Sequence, residues 1–532
     1  MFVSQKVAGS RRRTASILLI VFAAVLLGAF IVLKFFVIPA ETIRRVSEQS
    51  VLIEGSRSFE LWKDPKYTLK FTVWLYTVLN PDDVLTGARP HVQKRGPYSY
   101  DKIIHNEIKS SEGGRLTFKR RTLYYFNKTD SCQNCTESDS MVVPSIFYQL
   151  NVESASRPRT SAAARALLAQ SPFLNLTVAE ILFQGYNDPY LHKFCSLPLL
   201  QLVCETVFDM PDKFGLFVNM NDTYAEGEYT IRDGSLDIST RGDVITYNGR
   251  PELKKEWWTS EEARRIRGSE STIFHPFIAR GELLWTLSHW LCRSIPLTYV
   301  GESIAHGVPS YSFQIAPDVF DSSKAGMEGF CHPTEKEIYP SQRNSSRHCY
   351  PKGVIQGAAC RRNSPPIVLS LPNFAHASEE IQNAVVGLDT PNDERDLSVI
   401  DIEPNLGIVM RARRHILVNF EFWAGTGIKL PAYHDTMSSA LIPLALVADD
   451  ADIDPETLSM INSELIVPMR MASICTTILL VLAIISLVAT ALIFIHQCGS
   501  RKTGSTTSST VLQFEQSSEE SSTKNSKKDF IE

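Results

Sequence analysis

The chain has 532 residues, of which 44 % are hydrophobic and 21 % are charged, and its formal net charge is -4. This composition is typical of a folded globular protein and excludes a wholly disordered chain. The slightly negative charge argues against a general affinity for nucleic acid.

The first predicted element is a transmembrane helix over residues 17–38. At about 1.5 Å per residue this segment extends roughly 33 Å, enough to cross a hydrocarbon core of about 30 Å. Its apolar run is longer than that of a signal peptide, and no small-x-small cleavage site ends it, so we favour an uncleaved anchor. The basic residues Lys6 and Arg11 to Arg13 precede it and place residues 1–16 in the cytoplasm.

Residues 39–470 follow this span and are predicted to form an extracellular or lumenal ectodomain. Residues 115–126 and 411–423 alternate in character and are rich in aromatic side chains, a pattern that predicts β-strands. Gly96-Pro97 and Asn248-Gly249 predict turns. The ectodomain is therefore expected to be rich in β-structure.

A helical insertion is predicted at about residues 159–208. The stretch SAAARALLAQ favours helix, and Thr177-Val-Ala-Glu180 has the spacing of a capping box ahead of an apolar run. Two or three short helices are expected here rather than strands, so that the fold class is mixed α+β.

A second apolar segment, residues 471–495, is predicted to be the other transmembrane helix. Arg501 and Lys502 follow it and place residues 496–532 in the cytoplasm. This tail is rich in Ser, Thr, Glu and Lys and is predicted to be disordered. Cys498, at the membrane border, is a candidate for palmitoylation, the alternative being an unmodified thiol.

Eight of the ten cysteines lie in the ectodomain, and this even number predicts disulfides formed in an oxidising compartment. Sequence alone leaves on the order of a hundred pairings among them. These cysteines are Cys132, Cys135, Cys195, Cys204, Cys292, Cys331, Cys349 and Cys360. Triplets for N-glycosylation support an outside location because all of them lie in the ectodomain. They begin at Asn127, Asn134, Asn175, Asn221 and Asn344.

The pairs Cys331-His332 and His348-Cys349 raise the alternative of a zinc site. Adjacent residues of an extended chain point to opposite faces, so the two members of a pair cannot easily converge on one ion. The spacing also lacks the short Cys-x-x-Cys arrangement of structural zinc. Disulfides are favoured, and no metal or other cofactor is expected.

Two partial matches to catalytic or ion-binding motifs do not hold. Residues 301–305 (GESIA) resemble a nucleophile elbow, but Ala305 stands in the place of glycine and Gly-Val-Pro follows instead of a helix. Asp450 and Asp452 begin the spacing of a calcium loop, but Pro455 occupies the position that requires glycine. We therefore expect a binding or transport protein and not an enzyme.

Several segments resemble, in the same order, the class B scavenger receptor family, which includes fatty-acid translocase, the high-density-lipoprotein receptor and the lysosomal integral membrane protein. They cover essentially the whole chain between the two spans. The segments are Gly96-Pro97-Tyr98-Ser99-Tyr100, residues 185–190 (GYNDPY), Cys292-Arg293-Ser294-Ile295, residues 307–313 (GVPSYSF), Leu371-Pro372-Asn373-Phe374 and Asp401-Ile402-Glu403-Pro404.

The resemblance implies an antiparallel β-barrel-like ectodomain with a helical bundle at its apex and a hydrophobic tunnel that leads to the membrane. Lipid transfer through such a tunnel requires an apolar conduit and no catalytic residue, because its purpose is to keep apolar surface away from water. Carried over by position, the implied disulfides are Cys292–Cys360 and Cys331–Cys349, with Cys195–Cys204 and Cys132–Cys135 as additional pairs of this chain.

Apolar residues of the predicted apex helices are candidates for a lipid entrance, the alternative being ordinary helix-bundle core. They are Leu167, Leu168, Phe173 and Leu176. Fatty-acid translocase carries lysines on its apex helix, whereas residues 162–170 here contain only Arg165. This difference disfavours the binding of anionic ligands through a basic apex.

The predicted function is that of a cell-surface receptor for lipid (sterol, phospholipid or fatty acid), lipoprotein particles or other anionic ligands; self-association into a homo-oligomer is left open. One alternative is a lysosomal membrane receptor or lipid exporter that escorts a lumenal enzyme, and another is a phagocytic or adhesion receptor. The tail contains neither a Leu-Leu or Leu-Ile pair nor a tyrosine, which favours the plasma membrane over the lysosome.

Overall fold

The computed structural model describes residues 2–157, 170–189, 191–192, 196, 213–344, 346–357, 360, 365–428 and 436–503, without the side chains of residues 2–13, 344 and 497–503. The chain divides into two compact units. A terminal unit contains residues 1–41 and 468–532, and an ectodomain unit contains residues 42–467.

Two long helices carry the chain through the terminal unit. The first consists of Phe2–Val32, a π-helical turn at Leu33–Val37, and Ile38–Ser50. The second consists of Pro455–Ile461, a π-helical turn at Asn462–Ile466, and Val467–Thr503. Both are long and apolar enough to cross a membrane, over Thr14–Ser50 and Pro455–His496, and they contain the predicted segments 17–38 and 471–495.

The two apolar helices pack together through small residues. Ala23 and Ala483 are each only 1 % exposed, and the Ser486 hydroxyl donates a hydrogen bond of 2.9 Å to the carbonyl of Leu19. Small side chains let helix backbones approach closely where lipid offers no hydrophobic driving force between helices. The outward residues are large and apolar, as a lipid-facing surface requires.

Thirteen described strands of the ectodomain form one sheet, and two more form a separate pair. The large sheet contains β1 (Thr68–Val78), β2 (Val92–Glu112), β3 (Arg115–Phe126), β6 (Glu228–Arg232), β7 (Val244–Tyr247), β8 (Leu284–Ser288), β9 (Arg293–Ala305), β10 (Val308–Ile315), β11 (Val354–Gln356), β12 (Ile367–Ser370), β13 (Val399–Glu403), β14 (Ile408–Phe422) and β15 (Ala440–Asp452). The separate pair is β4 (Ser140–Pro144) with β5 (Phe173–Thr177).

Short helices fill the connections between the strands. The α-helices are Arg57–Lys63, Pro81–Leu85, Ile146–Ala155, Val178–Ile181, Glu261–Arg264, Glu379–Gln382 and Asp393–Asp396. The 3-10 turns are Ile238–Thr240, Pro317–Phe320, Glu328–Phe330, Pro340–Asn344 and Pro372–Phe374.

The large sheet is antiparallel and nearly closed. Its order is β7-β6-β3-β2-β1-β15-β14-β13-β10-β9-β8, while β12 pairs with the second half of β14. The edge strands β7 and β8 are joined by the segment at Gly268 and Ser269. Gly268 accepts a backbone hydrogen bond of 2.8 Å from Val244, and Ser269 donates one of 3.0 Å to Trp285. A barrel closed in this way leaves few unpaired edge groups.

Alternation along the strands produces the inner face of this barrel. In β3, Leu116, Phe118, Arg120, Thr122 and Tyr124 are buried, while the residues between them are more exposed. Successive side chains of a strand point to opposite faces, so one face packs on the core. The prediction of a mixed α+β fold with an antiparallel, barrel-like sheet is confirmed, and β3 has the predicted bounds of 115–126.

One of the two predicted turns is wrong and the other is confirmed. Gly96-Pro97 is not a turn but lies inside β2, where the register with β1 shifts between Val73 and Leu75; Gly96 has a φ of 123°, which suits an irregularity in a strand. Asn248-Gly249 does form a turn, since Tyr247 and Arg250 bridge across it.

The predicted helical insertion at 159–208 lies largely outside the described residues. Within its described part, Phe173–Thr177 is a strand and not a helix, because it pairs with β4. The capping box is present as predicted: Thr177 N donates to Glu180 Oε2 at 2.8 Å, and the helix Val178–Ile181 follows. The expected apex bundle therefore stays a prediction.

Candidate functional site

A cluster of charged side chains lies on the inner face of the barrel. Strands β2, β15 and β14 place Lys102, Asp449 and Arg414 together: Lys102 Nζ is 3.0 Å from Asp449 Oδ1, and Arg414 Nη2 is 3.0 Å from Asp449 Oδ2. Burial opposes ionisation of Asp449, but Arg414 and Lys102 outweigh it and lower the pKa of this carboxyl to about 2. Asp449 is therefore ionised and paired.

A second group of charges adjoins the first. Arg120 Nη2 lies 2.6 Å from Glu270 Oε2, and its Nη1 lies 3.5 Å from Glu226 Oε2. His289 Nδ1 is 3.7 Å from the same Glu226 oxygen. Burial lowers the pKa of His289 to about 4, in spite of the opposing effect of Glu226, so the imidazole is neutral at physiological pH.

These two groups together form what we call the charged cluster, in which positive and negative charges are equal in number. It consists of Lys102, Arg120, Arg414, Glu226, Glu270 and Asp449 with the neutral His289. Its members come from distant parts of the chain and bridge neighbouring strands. Two of them keep some accessible surface: the Arg414 side chain is 29 % exposed and the His289 side chain is 21 % exposed. The chemistry that the cluster can offer a ligand is hydrogen bonding, through the guanidinium of Arg414 above all.

An aromatic cluster lies beside these charges. Phe183 has its ring centroid 5.0 Å from those of Tyr100 and Tyr124, and Phe217 lies 5.2 Å from Phe71. Trp290, next to His289 in the chain, is 5.6 Å from Phe217. Phe183 and Trp290 are only half-buried. The inner wall thus combines an aromatic surface with a polar one, an arrangement that suits a molecule with an apolar body and a polar end.

Phe183 and Phe217 reach the barrel from segments on either side of residues 190–212. The helix Val178–Ile181 precedes Phe183, and Leu216 N and Phe217 N donate hydrogen bonds of 2.8 and 2.9 Å to Ile181 and Leu182. The two segments are therefore held together. The segments on either side of residues 190–212 thus meet beside the aromatic cluster.

Three disulfides are present in the described residues. Cys292 is bonded to Cys360, and Cys331 to Cys349, as the family resemblance implies. Cys132 is bonded to Cys135. The expected pair Cys195–Cys204 lies outside the described residues, so that pairing stays a prediction.

The two histidines beside Cys331 and Cys349 contact backbone carbonyls and not a metal ligand set. His332 Nε2 lies at hydrogen-bonding distance from the carbonyl of Trp257, and His348 Nε2 is 2.9 Å from the carbonyl of Lys336. In the part of the chain that the structure describes, no group of three or more His, Cys, Asp or Glu side chains could hold a metal ion. These histidines belong to the scaffold.

Lys336 fixes the loop between Cys331 and Cys349 to the body of the ectodomain. Its Nζ lies 2.6 Å from Glu153 Oε1 and also contacts Glu421. Glu421 is 3 % exposed, and burial raises the pKa of its carboxyl, with Lys336 opposing that effect. Two carboxylates thus share one half-buried ammonium group at the C-terminal half of the helix Ile146–Ala155.

The predicted glycosylation sites differ in their surroundings. Asn134, Asn175 and Asn221 are exposed, and Asn127 is half-buried, whereas the side chain of Asn344 is outside the described part. Asn127 Nδ2 donates to Asp101 Oδ1 at 3.0 Å, and Asn221 accepts 2.8 Å from Tyr124 N. Glycosylation at all five stays a prediction.

The predicted lipid-entrance residues are only partly described. Phe173 is buried on β5, with its ring centroid 5.2 Å from that of Phe422, and Leu176 is half-buried on the same strand. The prediction that both residues lie on helices is wrong, because β5 is a strand that pairs with β4. Leu167 and Leu168 lie outside the described residues, as does the side chain of Cys498, the palmitoylation candidate; Cys475 is a free thiol in the second apolar helix.

The charged cluster was not predicted from the sequence. Its signal was present, since Lys102 and Arg120 lie on the inner face of strands whose other buried residues are uncharged. A charge on the apolar face of an alternating strand requires a partner, but the sequence does not identify that partner.

Comparison with known proteins matches residues 19–494 to the model of the CD36 family. Scavenger receptor class B member 1 of Sus scrofa is 27 % identical over 486 residues, covering 90 % of this chain and 89 % of the relative. Lysosome membrane protein 2 of Rattus norvegicus is 27 % identical over 458 residues, covering 85 % of this chain and 87 % of the relative. Because the family match extends over nearly the whole chain and includes both apolar helices, this protein belongs to the CD36 family.

Proposed function

We propose that this protein is a cell-surface receptor that takes lipid from lipoprotein particles and passes it through the interior of its barrel to the membrane. Sterol, phospholipid and fatty acid are the lipid classes, and the mechanism needs no enzymatic step. Membership of the family supports the receptor role, and the two apolar helices fit membrane anchoring.

The observation that carries the transfer step is the half-buried aromatic cluster on the inner wall. Phe183 and Trp290 keep accessible surface although they lie among the rings of Phe71, Tyr124 and Phe217. When a lipid packs against these rings, its apolar surface is removed from water. This burial is favourable by about 25 cal/mol per Å² of apolar surface. Phe183 itself belongs to the predicted insertion of residues 159–208, in which the lipid entrance is proposed.

The test uses the full chain expressed in cells and a photoreactive sterol delivered in lipoprotein particles. Phe183→Ala is expected to reduce covalent capture of the sterol several-fold while the amount of protein at the surface is unchanged. Tyr125→Ala is the matched control, because Tyr125 is an exposed aromatic residue on the outer face of β3. Equal capture by the wild type, Phe183→Ala and Tyr125→Ala would exclude this route.

A lysosomal membrane protein is the second candidate, favoured by the similarity to lysosome membrane protein 2. The tail without a leucine pair or a tyrosine supports the plasma membrane instead. Imaging of the tagged full chain against surface and lysosomal markers separates the two locations. A predominantly lysosomal signal would overturn the assignment to the cell surface.

A further inference from the structure

Two apolar side chains of the ectodomain are far more exposed than the others that the structure describes. Leu236 is 79 % exposed and Ile304 is 75 % exposed, whereas the next large apolar residues of this unit, Ile43 and Tyr125, reach 53 %. A single exposed apolar residue is ordinary on a protein surface. The position of these two residues is what makes them informative.

Ile304 belongs to a hairpin that packs against the ends of the two long helices that lie within the ectodomain unit. It lies on β9, one residue before Ala305, and the tight turn at His306 and Gly307 leads into β10. The inward residues of that hairpin, Ala305 and Val308, form a buried cluster with Val46, Ile461, Leu465 and Ile466. The hairpin tip therefore lies at the end of the ectodomain unit where the chain enters and leaves it.

Leu236 lies at a second tip of the same end. It follows β6, and its side chain lies over Gly114 in the turn between β2 and β3. The neighbouring Asp233 accepts a backbone hydrogen bond of 2.9 Å from Leu52, which comes two residues after the end of the helix Ile38–Ser50. Both tips are thus tied to the short stretch from Val46 to Leu52.

Arg241 holds this end together. Its Nη1 donates 3.0 Å to the carbonyl of Ser50, its Nε donates 3.2 Å to that of Phe274, and its Nη2 contacts the carbonyl of Leu406. Arg241 is 1 % exposed, and its bonds join Ser50 to the segments at Phe274 and Leu406 within the ectodomain unit. The tips that carry Leu236 and Ile304 therefore keep their places relative to the point where the chain enters the ectodomain.

We propose that Leu236 and Ile304 insert into the outer interfacial layer of the phospholipid bilayer and seat the membrane-proximal rim of the barrel on it. The inference rests on the membrane anchoring in the proposed function, but it is independent of lipid transfer. The chain continues from this end into helices long and apolar enough to span a membrane, which makes the bilayer the occupant. A stable protein interface buries about 800 Å² on each partner, far more than two single side chains at separate tips provide. Shallow insertion into the interfacial layer of a bilayer requires only such isolated apolar side chains.

The experiment places the full chain in nanodiscs of palmitoyl-oleoyl-phosphatidylcholine that contain a lipid spin-labelled near its headgroup. Leu236→Cys and Ile304→Cys are each labelled with a polarity-sensitive fluorophore after Cys475→Ser and Cys498→Ser remove the two cysteines of the second long helix. Leu79→Cys is the matched control. Leu79 is 50 % exposed and directly follows Val78, the last residue of β1. Because β1 begins with Thr68 at the end where the chain enters the ectodomain, Leu79 lies about 30 Å from that end along the strand.

Quenching by roughly twofold or more at positions 236 and 304, with none at position 79, is the expected result. A separate label on the native Cys475 reports whether the second helix is in the bilayer at all, so that failure of anchoring is distinguished from failure of this inference. Quenching at Cys475 without quenching at 236 and 304, or at only one of them, would overturn the two-point contact. A blue-shifted emission at both tips without quenching by the lipid would assign them to a second copy of the chain instead.

Discussion

His289 makes the stability of the ectodomain depend on pH in a way that a single substitution isolates. Burial lowers the pKa of this histidine from 6.5 to about 4, and the groups around it are Glu226, Lys102, Asp449 and Arg120. As the pH falls below 6.5, the unfolded chain binds a proton that the folded chain does not, so stability is lost until the folded form also binds one near pH 4. The loss is therefore confined to the interval between these two values.

The magnitude follows from about 1.4 kcal/mol per pH unit for one proton. Between about pH 7 and about pH 5 the expected loss is about 2 kcal/mol, an upper value because part of the His289 side chain is exposed. For an ectodomain of about 400 residues, this corresponds to a fall of about 2 °C in the unfolding temperature. Other groups titrate in the same interval, so only the difference from a variant is diagnostic.

The assay is thermal unfolding of the full chain in detergent micelles at the two pH values. His289→Gln is expected to reduce the pH-dependent fall in unfolding temperature by about 2 °C relative to the wild type. Ser288→Ala is the control, since Ser288 is the neighbouring residue and its hydroxyl accepts 3.2 Å from Leu291 N without titrating. If His289→Gln shows the same pH-dependent fall as the wild type and Ser288→Ala, the charge state derived for His289 is wrong.

Three further substitutions test the barrel and its buried charges by the same thermal assay. Gly268→Ala is expected to prevent closure of the barrel and to lower expression severely, because a Cβ there would lie 1.9 Å from the carbonyl oxygen of Trp285. Gly281→Ala is the control, because a Cβ at Gly281 would meet no atom within 4 Å. A well-folded Gly268→Ala variant would contradict the role of Gly268 in closure. Arg241→Lys should cost about 2 kcal/mol or more, since one ammonium cannot bond all of its carbonyl partners, and an unchanged unfolding temperature would refute this. Lys336→Met should cost about 3–5 kcal/mol at neutral pH and recover in part on acidification as Glu421 takes up a proton; a loss independent of pH would argue against the shared ion pair.

The regular strands of the barrel were predictable because their signal is local. Residues 115–126 alternate in the sequence and form β3 with the same bounds, and the predicted strand at 411–423 lies almost wholly within β14. Phe173–Thr177 was mistaken for helix because a run of five residues with mixed polarity fits either period, and only the pairing with β4 decides it. Short segments therefore took their structure from distant partners.

The closure of the barrel and its charged cluster could not be predicted for the same reason. Gly268 has no local signature that distinguishes it from a turn glycine; its role depends on β7 and β8, which meet there only in the folded chain. The carboxylate partners of Arg120 are Glu226 and Glu270, more than a hundred residues away. The disulfides Cys292–Cys360 and Cys331–Cys349 came from the family resemblance, since the spacing of the cysteines alone leaves their pairing open.

The charged cluster and the aromatic cluster make different demands on the inner wall. An apolar core is held together by close packing, so side chains that keep free surface for a ligand give up part of that stabilisation. Ion pairs between strands fix the strand register, because their hydrogen bonds need a defined distance and direction. They do not require that the space beside them is filled. Lys102 with Asp449 links β2 to β15, and Arg414 links β14 to the same carboxylate. The half-buried ring of Trp290 lies 5.2 Å from that of His289 in the same cluster. The desolvation cost of these charges is compensated only while every partner is present, so Asp449→Asn should destabilise the chain by about 3 kcal/mol or more. Trp290→Leu should instead lower lipid capture, with a smaller loss of stability. The reverse ranking of the two variants, measured by unfolding temperature and by capture of the photoreactive sterol, would show that the aromatic residue is scaffold and not part of the lipid path.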